Sequence, residues 1–471
     1  MGAAPITSLR PLSMFSHLCH LVLTIIVWWR WGLRSGDRMV GAEAAVLRSP
    51  ALLCVLVLLG PGLQRPVAGR ALRFVNLVFR HGDRSPIIGF PKDPNTESDW
   101  PQGFGQLTQV GMRQQYALGQ YLRNRYHGFL NLSYDRHEIY IRSTDVDRTL
   151  MSAESNLAGL YPPQGHQVFR PDLRWQPIPV HTVPEGEDQV LAFPLDNCPH
   201  YTQLIAETEK QEEYKKMMRE NKEFLNMLVN ATGVPREMMS LGTIWSIYDT
   251  LFCEQIHNKT VASWVTPSVM EHLRLFKEFT LHVSYGMYKQ EEKSRLQGGM
   301  LVKKILQNIE QSLQTSSPTP KPKVIIYSAH DTTIAALQMA LNVYSLSSPY
   351  AACHIVELYL EDDGSFTVEM YFKNESSSAP YPLTLPACTQ KCPLDKFIQI
   401  AKRVVPDDWR KECGHPSNHC QIELILGLAV GCCLALLLIM LIVLLHCRNK
   451  DQYLGYQKVA EENEGTERTS I

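Results

Sequence analysis

One short run, Arg80-His81-Gly82-Asp83-Arg84-Ser85-Pro86, sets two guanidiniums on either side of an imidazole. The planar donor fork of arginine fits the oxygens of phosphate and similar oxyanions and keeps its charge at any working pH. Cations close by disfavour a protonated imidazole, so His81 is expected to stay neutral, and a neutral imidazole is a competent nucleophile. Gly82 is expected to let the backbone approach a ligand closely. Two later stretches carry the same kind of chemistry. Ser143-Thr144-Asp145-Val146-Asp147-Arg148 ends in another guanidinium, and Ser328-Ala329-His330-Asp331 offers a second imidazole beside a carboxyl group able to move a proton. Taken singly, each has a plainer meaning: an arginine at a strand end is usually solvated, a lone histidine is usually a polar or core residue, and an Asp at such a place commonly caps a helix. Their combination favours a catalytic site. His137, His166 and His272 have no motif around them and are read as structural, and the pattern selects Arg148 over Arg142.

Three strands must deliver these residues. Leu72–Phe79, apolar and rich in strand formers, stops at Arg80-His81-Gly82. Glu138–Arg142 leads through a polar turn into a helix over 149–158, and Val324–Ser328 leads through His330-Asp331 into a helix over 332–341. The apolar positions of 107–126 recur at helical spacing. Repetition of strand, loop and helix predicts an α/β fold, a mixed and mainly parallel sheet flanked by helices, with Arg80, His81, Arg148, His330 and Asp331 at its carboxyl edge. Residues 201–297 read as a smaller helical cap. Asp362-Asp363-Gly364 between two alternating runs, 354–360 and 366–372, is a hairpin signature, and 316–323 is a proline-punctuated surface loop.

The heptapeptide resembles the R-H-G-x-R-x-P signature of the histidine phosphatase superfamily, and Ser328-Ala329-His330-Asp331 resembles the H-D pair of its acid phosphatase branch. The stretches WPQGFGQLTQVGM, YIRSTDVDRTLMSA, WQPIPVHTVP and YSAHDTT extend the likeness over nearly all of 71–413, toward acid phosphatases of the lysosomal and prostatic kind. The resemblance implies hydrolysis of small phosphomonoesters through a covalent phosphohistidine on His81. Arg80, Arg84, Arg148 and His330 would hold the phosphate oxygens and Asp331 would be the proton donor, with no metal and no cofactor. It further implies the disulfides Cys198–Cys413, Cys253–Cys353 and Cys388–Cys392, and a homodimer whose contact includes Trp175–Pro184. A catalytically silent single-pass receptor on the same fold would be expected to lack His81, Arg148 or Asp331, and all three are present. A mutase or phytase would share the nucleophile. A general phosphomonoesterase is preferred because the 201–297 segment offers no lysine or arginine excess that can be placed near the site. A cysteine-dependent phosphatase is excluded because no C-x-x-x-x-x-R stands in the extracytoplasmic part.

Leu424–Leu445 carries no charge over 22 residues, enough at ~1.5 Å per residue to cross a hydrocarbon layer of ~30 Å as a transmembrane helix. Arg448 and Lys450 follow, which places the tail 446–471 in the cytoplasm and the phosphatase domain, 71–413, with its stem 414–423, in the lumen. Residues 1–69 read as an N-terminal extension and export signal. Arg48, the apolar run 51–59 and Pro66-Val67-Ala68-Gly69 form the signal itself, and Met39 is a natural start. Seven luminal cysteines, Cys198, Cys253, Cys353, Cys388, Cys392, Cys413 and Cys420, agree with an oxidising compartment. Spacing alone does not pair them, and Cys420 is the expected odd one. Asn131, Asn230, Asn258 and Asn374 open glycosylation sequons. In the tail, Tyr456-Gln457-Lys458-Val459 is similar to the sorting signal of membrane-anchored lysosomal members of the family, which implies a cytosolic sorting adaptor as partner and a lysosomal membrane location. The cell surface, or release by cleavage in the stem, is the alternative. With 46 basic against 47 acidic residues, the chain has no global positive field for nucleic acid.

Overall fold

The computed structural model describes residues 69–467 except 196, 315–319, 375–377 and 416–417. The export-signal reading of 1–69 therefore lies, Gly69 apart, outside the described residues, as does part of the 316–323 loop. Strand β1 (Ala71–Arg80) is buried from Phe74 onward because both of its faces are covered. Phe74 and Val78 enter one apolar core, and Val75, Leu77 and Phe79 enter another on the opposite face. This explains a continuous apolar run where a strand covered on one face would alternate with polar residues.

The sheet is mixed, in the order β2-β3-β1-β4-β5-β6, with β7 also paired to β5. Parallel pairing is confined to the half that carries the motifs, where β2 (Ile139–Ser143) and β1 both run alongside β3 (Val324–Ala329). The other half is antiparallel: β4 (Cys353–Leu360), β5 (Phe366–Lys373), β6 (Tyr381–Leu383) and β7 (Cys392–Pro393). The β4–β5 hairpin turns at the expected Asp362-Asp363-Gly364, where Gly364 takes φ +85°.

Helices cover both faces. On one side lie α1 (Gln109–Arg125) and α2 (Asp147–Leu160), which present Leu118, Leu122, Ala153, Leu157 and Leu160. After α3 (Pro199–Thr208) come α4 (Glu212–Glu220), α5 (Lys222–Thr232), α6 (Leu241–Ile256), α7 (Pro267–Leu281), α8 (Gln290–Leu296) and α9 (Gly299–Leu313). The other face is covered by α9 and by α10 (Asp331–Ala340), and Tyr201 and Leu204 of α3 join that core. A third apolar core belongs to the helices alone: Leu225, Leu228, Ile244, Leu251, Leu273 and Phe276 enclose Phe90 from the chain that follows the heptapeptide. The phosphate-type motif and the helical body are thereby fastened together. Short helices α11 (Leu394–Ala401) and α12 (Trp409–Glu412) close the domain. The last helix, α13 (Asn418–Glu467), includes a span, Ile425–Lys450, long and apolar enough to cross a membrane. Tyr456 and Val459 lie in its continuation.

Disulfides join Cys198 to Cys413 and Cys388 to Cys392. The third pairing implied by the resemblance, Cys253–Cys353, is not formed, and both thiols are free and buried. Cys253 sits on α6, its sulfur 3.5 Å from the Tyr350 hydroxyl, whereas Cys353 packs at the head of β4 in the core of α1 and α2. They belong to different surroundings. Denaturation without reductant should therefore expose two alkylatable thiols in this domain, and peptide mass spectrometry finding a Cys253–Cys353 link would refute this.

A buried carboxylate marks the centre of the sheet. Glu357 of β4, 1% exposed, accepts from Arg125 Nε and Nη2 at 2.8 and 3.0 Å, Tyr126 Oη at 2.8 Å and Tyr359 Oη at 2.8 Å. With its acceptor positions filled, the charge is tolerated, but removing it strands the Arg125 guanidinium. Glu357→Ala should cost about 3–5 kcal/mol, read from the urea midpoint, and a loss below about 1 kcal/mol would contradict that accounting.

Candidate active site

The three parallel strands end level with one another. Arg80 pairs with Ala329 and Ser143 with Ser328, and the ladder runs one residue further through His81 N–H to Ala329 O at 2.9 Å and Thr144 N–H to Ser328 O at 3.1 Å. Everything that follows these ends is delivered to one sheet edge. Gly82 serves a different purpose from the one its sequence suggests. A Cβ there would lie 2.3 Å from the carbonyl oxygen of Gly111, and one on Gly111 would lie 2.2 Å from that of Asp83. The two glycines let the first turn of α1 press against the loop, so the close approach is backbone to backbone and not backbone to ligand. Asp83, fully buried, fixes the loop further: its carboxylate accepts from the Thr108 hydroxyl, and from His257 Nε2 at 2.7 Å, while its backbone N–H donates to Gln114 at 2.8 Å.

His81 is 2% exposed, and its Nδ1 lies 2.8 Å from the Gly82 carbonyl oxygen. A carbonyl only accepts, so Nδ1 carries the proton and, in the neutral ring, Nε2 carries the free lone pair. Burial, and then the charges of Arg80, Arg84 and Arg148, hold the imidazole well below its ordinary pKa, so the neutral ring persists in acid.

The arginines differ in their partners. Arg84 makes two bonds to Asp249 of α6, at 2.8 and 3.0 Å. Arg80 donates to Ser348 O at 2.6 Å, lies over the Tyr350 ring and places Nη2 3.1 Å from Asp331 Oδ2. Arg148 has no acceptor among the described residues; burial, and next Arg84, bring it down to about 10, leaving it charged at any acidic or neutral pH. His330 sits 5.6 Å from His81, ring centre to ring centre, with Nε2 3.0 Å from the Thr144 hydroxyl. Burial and then Arg148 lower it to about 3. For Asp331, burial pushes upward, but Arg80 and then Lys277 outweigh it and hold the carboxyl well below the usual carboxylate range.

A cavity of about 630 Å³ is lined by His81, Arg84, Thr144, Arg148, His330 and Asp331, so five of the six expected residues share one space. Arg80 lines a second cavity, of about 530 Å³, with Tyr248, Asp249, Lys277 and Tyr350, and reaches the first group through Asp331. Such a constellation can seat a tetrahedral oxyanion against an uncharged imidazole. Sequence reasoning missed Asp249, Lys277 and Tyr350. They come from α6, α7 and the loop before β4, and no motif surrounds them; the signal available was a charged residue on the apolar stripe of a helix, as Lys277 is beside Leu273, Phe276 and Leu281. The 201–297 segment, in which no excess of basic residues could be placed near the site from the sequence, contributes the single cation Lys277 beside Asp331.

The remaining expected residues lie elsewhere. Asn131, Asn230 and Asn258 are exposed and Asn374 is half-buried. Trp175 is partly exposed, while His181 bonds to the free edge of β2.

Comparison with known proteins agrees with this geometry. The chain is 52% identical to human lysosomal acid phosphatase over 428 residues, covering 91% of this chain and 99% of that protein. It is 52% identical to bovine prostatic acid phosphatase over 380 residues, covering 80% and 97%. Among solved structures, the phytase of Citrobacter braakii shares the fold with a TM-score of 0.56 at 18% identity, covering 73% of this chain and 99% of that one. The description "Histidine phosphatase superfamily (branch 2)" matches residues 71–373. The chain belongs to branch 2 of the histidine phosphatase superfamily.

Proposed function

We propose that this protein is an acid phosphatase that hydrolyses phosphate monoesters through a phosphohistidine on His81. The observation that carries the reading is the tautomer fixed by Gly82 O, which leaves the Nε2 lone pair within a ring of guanidiniums. Relatives about half identical along their whole length are acid phosphatases. In the first step Nε2 attacks phosphorus, the P–O bond to the alcohol breaks, and Asp331 gives its proton to the departing oxygen. In the second, Asp331 takes a proton from water as its oxygen attacks phosphorus, the P–N bond breaks and inorganic phosphate leaves. Arg80, Arg84, Arg148 and His330 hold the equatorial oxygens, supplying the charge stabilisation that phosphoryl transfer needs.

Asp331 is ionised in the empty site, yet it must donate. The substrate resolves this. Below about pH 6 a phosphomonoester still carries one proton, and its negative charge, once seated, offsets the cations that kept Asp331 deprotonated. Activity toward esters with poor leaving groups should therefore rise as pH falls through that range. Arg448 and Lys450, just past the uncharged run Leu424–Leu445, support a luminal catalytic domain with a cytosolic tail, in which Tyr456 and Val459 would meet a sorting adaptor. The exposed Asn131, Asn230 and Asn258 are compatible with glycans in that compartment, and the 175–184 stretch is the candidate dimer contact.

After brief exposure to a ³²P-labelled monoester and a quench into alkaline denaturant, wild type should retain a base-stable label that later acid treatment releases and that His81→Ala lacks, and turnover surviving in His81→Ala would reject the nucleophile. Asp331→Asn should lower kcat/KM about 10²–10⁴-fold for an alkyl phosphate such as glycerol 2-phosphate. It should matter far less for p-nitrophenyl phosphate, whose leaving group needs no proton. Equal losses on the two esters would remove Asp331 from the role of acid.

A further inference from the structure

We propose that Lys277 is a positioning residue for Asp331: presented from the helical body, its ammonium holds the carboxylate in place and sets the pH range over which that group passes a proton to the leaving alcohol. The proposal rests on the reading of Asp331 as proton donor.

Lys277 lies on the buried stripe of α7, 8% exposed. Its Nζ lies 5.9 and 5.8 Å from the ring centres of Trp245 and Tyr248 on α6, close enough for cation–π attraction. Its one ion pair among the described residues is with Asp331 Oδ2, at 3.8 Å. An ammonium taken out of water needs a compensating anion, and burial does depress its pKa. At 3.8 Å the pairing is coulombic and places no demand on hydrogen-bond angle. The carboxylate is otherwise held by Arg80 Nη2 on the same oxygen at 3.1 Å and by the Thr332 N–H on Oδ1 at 3.0 Å.

Arg80 has two claims upon it, Asp331 in the empty site and phosphate oxygens in the proposed complex. Lys277 does not line the cavity that contains His81. It therefore remains with Asp331 when Arg80 turns to substrate, and keeps the carboxyl aimed while its proton moves. The charged and titratable groups around Asp331 are Arg80 and Arg84 from β1 and the loop after it, Arg148 from α2, His330 at the head of α10, Tyr344 beyond that helix, and Lys277 from α7. Behind Lys277 stand Asp249 and Glu278, of which Asp249 is engaged by Arg84 and Glu278 by the Tyr344 hydroxyl at 2.9 Å. Lys277 is the cation of this group that comes from the helical body, so the two parts of the domain meet at the proton donor.

The test is the pH profile of kcat, which reports groups in the enzyme–substrate complex, in the full chain for Lys277→Met, Lys277→Gln and Lys277→Arg, on glycerol 2-phosphate and on p-nitrophenyl phosphate. Without the ammonium, Asp331 keeps its proton to higher pH. The alkaline limb for the alkyl ester should move up by about one pH unit in the two neutral variants, while arginine restores it and the limb for the nitrophenyl ester stays in place. Two neutral side chains of different polarity guard against a folding defect in one. An unmoved limb for the alkyl ester overturns the proposal, as does an equal shift on both esters, which would put Lys277 on phosphate binding. An Asp331→Asn profile indistinguishable from wild type would instead remove the proton-donor reading beneath it.

Discussion

Charge crowding governs this site. Arg80 and Arg84 are buried and Arg148 half-buried around one imidazole, Lys277 is buried beside Asp331, and the carboxylates that pair with these cations are Asp249 and Asp331 alone among the described residues. Such a collection repels itself and is held only by a scaffold that gives it no room to spread. The scaffold is the level carboxyl edge of three parallel strands, stiffened by backbone bonds that continue past the strand ends and by the Gly82–Gly111 contact. Stability given up here is what a binding oxyanion returns, since a phosphate supplies the missing negative charge in a place already shaped for it.

The helical body completes the balance. Asp249 of α6 takes up Arg84 with two bonds, leaving Arg148 as a guanidinium without an acceptor among the described residues, while α7 contributes the ammonium that shares Asp331 with Arg80. Phe90, emerging a few residues after the heptapeptide, is enclosed by the apolar core of these helices. The loop that carries His81 is consequently gripped from below by the sheet and from the side by the helices, through Phe90, Asp83–His257 and Arg84–Asp249. A change in helix packing would for that reason displace the partners of the site's charges.

What the sequence discloses about such a site depends on how local each constraint is. His81, Arg84, Arg148, His330 and Asp331 stand directly after strands whose apolar runs are unmistakable, so both the strands and their convergence were readable. Asp249 and Lys277 are remote in sequence from those strands and sit on helices whose periodicity specifies only an apolar stripe; which charge on the stripe meets which partner is decided by tertiary packing. Gly82 shows the same limit. Its need for space was legible, but whether backbone or ligand fills that space depends on Gly111 in another element. Cys253 and Cys353 illustrate it for covalent structure: type and compartment are visible in the letters, while pairing requires two Cα positions to come within bridging distance.

The ionisation of Asp331 joins these threads. For the proposed proton donor, being kept as a carboxylate looks contradictory only if the empty site is taken as the working state. Each cation that lowers Asp331 is also one that attracts a phosphate monoester, and the monoester arrives with negative charge and, in acid, with a proton. In the proposed mechanism, binding reverses the field at Asp331 and supplies the proton it donates, so that the substrate itself assembles the acid. His81 is subject to the same field with the opposite consequence, since positive surroundings keep its lone pair free. On the proposed mechanism, one arrangement of charge would thus yield a nucleophile that survives low pH and an acid that forms only when there is something to protonate.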